Sequence, residues 1–165
     1  MSLKQLWAPW RMAFIAGEKK TKDNGCVFCE LLAQRNDREN LILHRTEQVF
    51  VILNKYPYNN GHLMVVPNTH TASLTQLPES TLSALMLMGK IGVQALEATY
   101  QPEGFNLGMN LGVSGGAGIK DHLHLHVVPR WLGDTNYMPV LSETKAMPQH
   151  LETSYDDLHA FFRRL

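Results

Sequence analysis

His122-Leu123-His124-Leu125-His126 sets three imidazoles at alternate positions, and Val127-Val128-Pro129 extends the run. A β-strand turns every second side chain to the same face. A strand here predicts three imidazoles side by side, about 6.5–7 Å from one to the next, with Leu123, Leu125 and Val127 on the core side. Imidazole is the side chain whose ordinary pKa lies nearest neutrality, so it can carry protons, bind a metal or attack an electrophile. Three of the chain's eight histidines fall within five residues, and leucines alternate with them too regularly for an accidental polar edge. A metal site made by this run alone is disfavoured, because one flat strand holds such imidazoles too far apart to converge on one ion. Nucleophilic catalysis fits better: one imidazole attacks while its neighbours orient it, stabilise charge and handle protons.

The residues just upstream support that reading. Gly112-Val113-Ser114-Gly115-Gly116-Ala117-Gly118 leads into the histidines. Such a loop can aim several backbone N–H groups at an anion, although a plain flexible turn has the same composition. It lacks the Gly-Lys-Ser/Thr of a Walker A loop and opens onto a strand rather than a helix. Asn106 and Asn110, on the preceding predicted strand, can add side-chain hydrogen bonds to a substrate. A second cluster begins at Cys26-Val27-Phe28-Cys29, whose spacing supplies half of a tetrahedral zinc site; the alternative is a reduced dithiol without metal.

These groups need a scaffold. Apolar runs at 41–44, 49–53 and 62–67 have strand length, and the last ends at a proline. Residues 54–61, with a proline and Asn-Asn-Gly, are turn chemistry. Residues 78–100 predict a long helix, with Leu82, Leu85, Met88, Gly92 and Leu96 stepping by threes and fours. Gly89 and Gly92 cost helix propensity, which points to close approach of another chain segment there. A short helix at 29–35, a strand at 105–111 and a C-terminal amphipathic helix carrying Tyr155, Leu158, Phe161 and Phe162 complete the prediction. The expected fold class is α+β, with a mainly antiparallel sheet, a long central helix and a C-terminal helix.

Composition narrows the partners. Fifteen basic residues balance fifteen acidic ones in 165, so no overall field draws the chain to nucleic acid or a membrane surface. The apolar runs are far too short for a membrane span. Residues 1–11 are Trp-rich without an apolar stretch, unlike a secretory signal, so a cytoplasmic location is expected.

The motif His122-Leu-His124-Leu-His126-Val-Val resembles the signature of the histidine triad (HIT) family. Asn106-Leu-Gly-Met-Asn110 and Gly61-His62-Leu-Met-Val-Val-Pro67 fall where that family has characteristic segments. The resemblance covers about residues 26–131. It implies an α+β fold, a homodimer, and a nucleotide hydrolase or transferase that cleaves at an α-phosphate through a covalent nucleotidyl-histidine, with no organic cofactor. It also implies that His124 is the nucleophile, with His122 and His126 as its catalytic neighbours. His126 and His62 would contact phosphate oxygens, and Asn110 would position the substrate or the loop. Gly116 and Gly118 would cradle phosphate, and Ile52, Leu53 and Asn54 would face the nucleoside. One departure stands out: Gly118 and Ile119 occupy places where many members carry a glutamine or another polar residue, so Ser114 or Lys120 would take over phosphate contacts.

Leu6-Trp7-Ala-Pro9-Trp10-Arg11, Asn54-Lys-Tyr-Pro-Tyr58-Asn-Asn-Gly61-His62 and Pro129-Arg130-Trp131 are similar to the family's branch of bacterial diadenosine tetraphosphate phosphorylases. That branch implies dinucleoside polyphosphate and inorganic phosphate as substrates, and Trp131 as a substrate-side residue. Hydrolysis of adenosine phosphoramidates, or nucleotide sensing without turnover, are the alternatives. Some bacterial members complete a zinc site with a Val-Pro-x-Thr-His segment and the first triad histidine. Both are present here, implying structural zinc on Cys26, Cys29, His70 and His122. The expected organisation is an N-terminal arm at 1–25, a HIT domain at 26–135 and, at 136–165, an extension whose helix packs on that domain.

Overall fold

The computed structural model describes residues 25–135, 139 and 146–165. Residues 1–24 of the expected arm, Trp7 and Trp10 among them, and most of 136–145 lie outside it. Contacts divide the chain into two units, and the second, Cys26–Asp134 with Met147–Leu165, carries everything that follows.

Five strands form one antiparallel sheet: β1 (Ile42–Arg45), β2 (Val49–Leu53), β3 (Leu63–Pro67), β4 (Gly104–Gly108) and β5 (Leu125–Arg130), in the order β1-β2-β3-β5-β4. Helix α1 is Val27–Ala33, α2 is Glu79–Tyr100 and α3 is Leu151–Phe162. The fold is α+β as expected. β2 and β3 are buried along their whole length, and their alternate residues divide between two cores. Val51, Leu53, Leu63, Val65, Leu125 and Val127 face α2 and α3, which meet them with Leu85, Leu96, Leu158 and Phe162. Phe50, Ile52, Met64 and Val66 face the other way and are covered by Phe28 of α1. The period of two therefore gives each central strand two buried faces, and the histidines share the second of them.

Close packing of α2 explains its glycines. A methyl group at Gly89 would stand 3.0 Å from Leu125, and one at Gly92 would stand 3.3 Å from Leu63. The expected approach of another segment is thus the sheet itself, directly beneath the histidines.

The histidine run departs from the expected strand. β5 begins only at Leu125, so His126 alone of the three lies in the sheet. β3 ends at Pro67, which has no N–H to continue the ladder. Upstream of Leu125, the Leu123 N–H bonds to the Thr71 carbonyl at 2.8 Å instead. The inward alternation survives, with Leu123, Leu125 and Val127 all buried, but His122 and His124 are freed to point to different places.

Candidate functional site

His124 is 5% exposed. Its Nδ1 lies 2.9 Å from the His122 carbonyl oxygen. A carbonyl only accepts, so Nδ1 must carry the proton and donate. The lone pair is then on Nε2. Burial lowers the pKa of His124, with the His122 carbonyl acting in the opposite direction. The ring is therefore neutral near pH 7, and its free nitrogen can attack an electrophile without a base to deprotonate it.

His126 stands edge-on to His124 with ring centres 4.7 Å apart, closer than two positions on one flat strand would give. Behind it lies His62, whose Nε2 is 2.9 Å from His126 Nδ1. The Tyr58 N–H donates to His62 Nδ1 at 3.1 Å, so that nitrogen has no proton. The His62 proton is on Nε2 and is donated to His126 Nδ1, which leaves the His126 proton on Nε2. A backbone amide two side chains away thus makes His126 a donor beside His124. Asn54 reinforces this: its Oδ1 accepts from the Tyr56 N–H at 2.9 Å, which turns its Nδ2 toward His62 Nδ1 at 3.3 Å. Burial, with His126 and His124 adding to it, pushes His62 down to about 3. Burial beside His124 pushes His126 down to about 4.

His62 does not fit its expected contact with phosphate. It is fully buried, and both ring nitrogens are bonded to protein. The loop 54–61 that supplies Tyr58 is fastened by the buried Asn59, which donates to the Pro129 carbonyl at 2.9 Å. The Tyr58 ring packs over His62 and His126, with centres 4.6 and 5.6 Å away. The sequence marked Tyr58 only as part of a longer motif; its place four residues before a buried histidine was the signal.

The glycine loop is more self-contained than an open cradle. The N–H groups of Gly116 and Ala117 bond to the Val113 and Gly112 carbonyls at 3.0 and 3.2 Å. Asn110 donates to the Gly116 carbonyl at 3.2 Å, so Asn110 clamps the loop and Gly116 shapes it. Both polar backbone groups of Gly116 are engaged within the loop, which removes it as a direct phosphate contact. Gly118 and Ser114 remain exposed. Gly115, which the sequence did not single out, is demanded by space: a Cβ there would lie 2.3 Å from the Leu111 carbonyl oxygen. Asn106 accepts from Arg130 at 2.8 Å. Trp131 is not brought to the histidines within this chain. It follows β5, five residues beyond His126 or about 16 Å along the strand, and its backbone turns with Asp134. A cavity of about 510 Å³ is lined by Leu53, Lys55 and His62 with residues 149–152, and neither His124 nor His126 lines it. Leu53 accordingly faces away from the triad, whereas Ile52 shares its side of the sheet.

His122 belongs to a second cluster. Its Nε2 is 2.8 Å from the Pro67 carbonyl oxygen, so that nitrogen donates and Nδ1 holds the lone pair. Nδ1 lies 3.2 Å from Cys26 Sγ and 3.7 Å from Cys29 Sγ, and His70 Nδ1 lies 3.4 Å from Cys29 Sγ. One donor atom from each of the four comes within 4.8 Å of the others. Tetrahedral zinc with sulfur at about 2.3 Å and nitrogen at about 2.0–2.1 Å separates such ligands by about 3.6 Å, so the residues fit a metal. His122 is a ligand candidate rather than a third member of the reacting face. Phe28, between the two cysteines, touches both His122 and His124, with ring centres 5.4 and 5.3 Å away.

The pattern that describes the HIT domain matches residues 35–131. This chain belongs to the HIT family. The matched HIT domain contains all five strands of the sheet and the three histidines of the run. A protein from Mycobacterium tuberculosis named AP-4-A phosphorylase is 38% identical over 155 residues, covering 90% of this chain and 79% of its own. Among solved structures, a Zn-bound histidine triad family protein from Mycobacterium smegmatis matches with a TM-score of 0.69 at 30% identity. That match covers 85% of this HIT chain and 94% of the other. A hypothetical histidine triad nucleotide-binding protein from Sulfolobus tokodaii matches with a TM-score of 0.64 at 28% identity, over 84% and 90% of the two chains. No described helix is long and apolar enough to cross a membrane.

Proposed function

We propose that the chain cleaves diadenosine polyphosphates at an α-phosphate by two-step transfer through His124. The observation that carries this reading is the bare, neutral Nε2 of His124, with Nδ1–H held by the His122 carbonyl at 2.9 Å. In the first step the Nε2 lone pair forms a bond to the α-phosphorus of diadenosine tetraphosphate. The bond to the bridging oxygen breaks, and ATP leaves as an anion that needs no proton from the enzyme. AMP remains on His124. In the second step an oxygen of inorganic phosphate attacks the same phosphorus, the phosphorus–nitrogen bond breaks, ADP forms and neutral His124 returns. Water in place of phosphate would give AMP.

The other residues have supporting roles. The Nε2–H of His126 donates to the non-bridging oxygens, where charge gathers in the transition state. His62 acts through His126. Asn110 holds the loop over the phosphates, and Ser114 and Gly118 at its exposed surface face them. Ile52 and Asn54 take the nucleoside side. The 38% identity to the mycobacterial AP-4-A phosphorylase supports phosphate as the acceptor.

We further infer that zinc fills the Cys26, Cys29, His70 and His122 cluster. Two thiols and two imidazoles suit zinc, and the Zn-bound mycobacterial relative supports it. A pair of reduced cysteines accords with a cytoplasmic location. A homodimer is supported by the position of β4, whose outer edge has no neighbour among the described strands. Leu107 on that strand, with Leu82 and Met86 of α2, is exposed. Size-exclusion chromatography with light scattering tests the dimer, and elemental analysis tests the zinc.

The deciding experiment is product analysis with diadenosine tetraphosphate, with and without inorganic phosphate. ATP plus ADP only when phosphate is present is the expected result. AMP plus ATP without phosphate would replace phosphorolysis by hydrolysis. No products in either case would overturn the dinucleotide reading.

A further inference from the structure

We propose that the Cys26–Cys29–His70–His122 cluster is a positioning device for the nucleophile, and that Phe28 and His122 transmit its geometry to His124. The kinetic part of this inference rests on the transfer reading above; the structural part does not.

The sheet does not hold His124, because β5 begins one residue later, at Leu125. Something else must set the backbone at 122–124. The cluster grips this segment from two sides. His122 is held at both ring nitrogens, by the cysteine sulfurs and by the Pro67 carbonyl. The carbonyl of this residue is the group that fixes His124 Nδ1–H. On the other side, Thr71 follows the cluster residue His70, and its carbonyl takes the Leu123 N–H at 2.8 Å. Two cluster members therefore bracket the residues on either side of the one bond that selects the reactive tautomer.

Phe28 is the second link. Helix α1 has seven residues, too few to be stable alone, so its seat on the sheet depends on what fastens it. Cys26 immediately precedes it and Cys29 lies in its first turn. Between them Phe28, 2% exposed, presses on His122 and His124 together, at 80° and 59° to the two rings. An α1 released from the cluster moves the apolar wall against which the nucleophile rests.

The test uses the full chain purified with zinc, and Phe28→Leu beside a control, Phe50→Leu. Phe50 lies in the same apolar cluster, with its ring centre 6.2 Å from that of Phe28. Three quantities are read: bound zinc, ring-nitrogen NMR signals of ¹⁵N-labelled histidines, and the separate kcat and KM. Phe28→Leu is expected to keep its zinc and to move His124 from the single Nδ1–H form toward a mixture of tautomers. Its kcat should fall about tenfold, with KM changed by less than about twofold. Removing zinc with a chelator should give the same tautomer mixture, and doing so in Phe28→Leu should add little. Unchanged His124 signals after zinc removal, or an equal kcat loss in Phe50→Leu, would overturn the proposal. If chelation unfolds the chain, Phe28→Leu with zinc bound decides alone. Absence of turnover in the unaltered chain would sink the transfer reading, and the histidine signals would still decide this one.

Discussion

His122 and His124 lie two residues apart and present opposite nitrogens. His122 gives Nε2–H to the Pro67 carbonyl and turns a bare Nδ1 to two cysteines. His124 gives Nδ1–H to the His122 carbonyl and keeps a bare Nε2. Both are buried, and burial lowers the pKa of each, so neither charge nor exposure distinguishes them. The carbonyl that each ring meets decides which nitrogen is left bare: Nδ1 toward the cysteines on His122, and Nε2, the attacking atom under the proposed function, on His124. Tautomer selection by backbone acceptors is a general device at metal sites, and here it divides one short motif between two sites.

Exchanging the two histidines for asparagine breaks the comparison most sharply. His124→Asn removes the attacking nitrogen, and turnover should fall by about a thousandfold or more. Zinc content and melting temperature should stay near those of the parent. His122→Asn should lose zinc and lower the melting temperature. Equal zinc loss in both variants would mean that the motif is one site and not two.

The triad side should also respond to acid. His62 and His126 are held down to about 3 and about 4, mainly by burial, whereas in the unfolded chain each titrates near 6.5. Between these values the unfolded chain binds more protons than the native one. Stability is complete above about pH 6.5 and falls as pH drops toward 4, by up to about 1.4 kcal/mol per pH unit for each histidine. Urea unfolding at stepped pH measures this. Replacing His62 with glutamine should flatten the slope, and an unchanged slope would show that other groups carry it.

Much of this molecule was legible in its residues, for reasons that differ by element. β2 was readable as Val49–Leu53 because five apolar residues bounded by polar ones have few alternatives, and α2 was readable from its spacing and its Pro78. The four metal-site candidates were readable from residue type and family resemblance, since ligand chemistry is local. The division of the histidine run was not. The end of β3 at Pro67 was readable, but the division depends on the Pro67 carbonyl taking His122 Nε2–H across 55 residues and on the Thr71 carbonyl capturing the Leu123 N–H, contacts that no periodicity encodes. The reassignment of His62 has the same cause. A buried histidine and a phosphate-binding histidine look alike until the Tyr58 amide is seen to occupy Nδ1. Phe28 escaped notice because the residue between two cysteines reads as spacer until its ring is found against both histidines.

A narrower probe of the triad side is Gly115→Ala. The new methyl would stand 2.3 Å from the Leu111 carbonyl oxygen, so the loop must shift, at a cost of about 1–2 kcal/mol. KM for the dinucleotide should rise while zinc content and the His124 tautomer stay as they are. An unaltered KM would remove the loop from the substrate's path.

The smallest effect expected is also the one that separates two roles for Asn54. As a nucleoside contact, Asn54 would accept a hydrogen bond from a ribose hydroxyl, and aspartate would serve as well or better. As a support for His62, it must donate, because its Nδ2 faces a nitrogen whose lone pair already takes the Tyr58 N–H. Asn54→Ala removes one of two donors and leaves the Tyr58 amide in place. It should cost about 1 kcal/mol, or about fivefold in kcat. Asn54→Asp puts a carboxylate against His62 Nδ1 and draws the proton to that nitrogen. That choice reverses the relay, leaves His126 with its proton on the wrong side, and places the Tyr58 N–H against another N–H. Aspartate should therefore be worse than alanine in kcat if the relay governs, and better than alanine in KM if ribose contact governs. Steady-state kinetics of the two variants side by side distinguishes these orders.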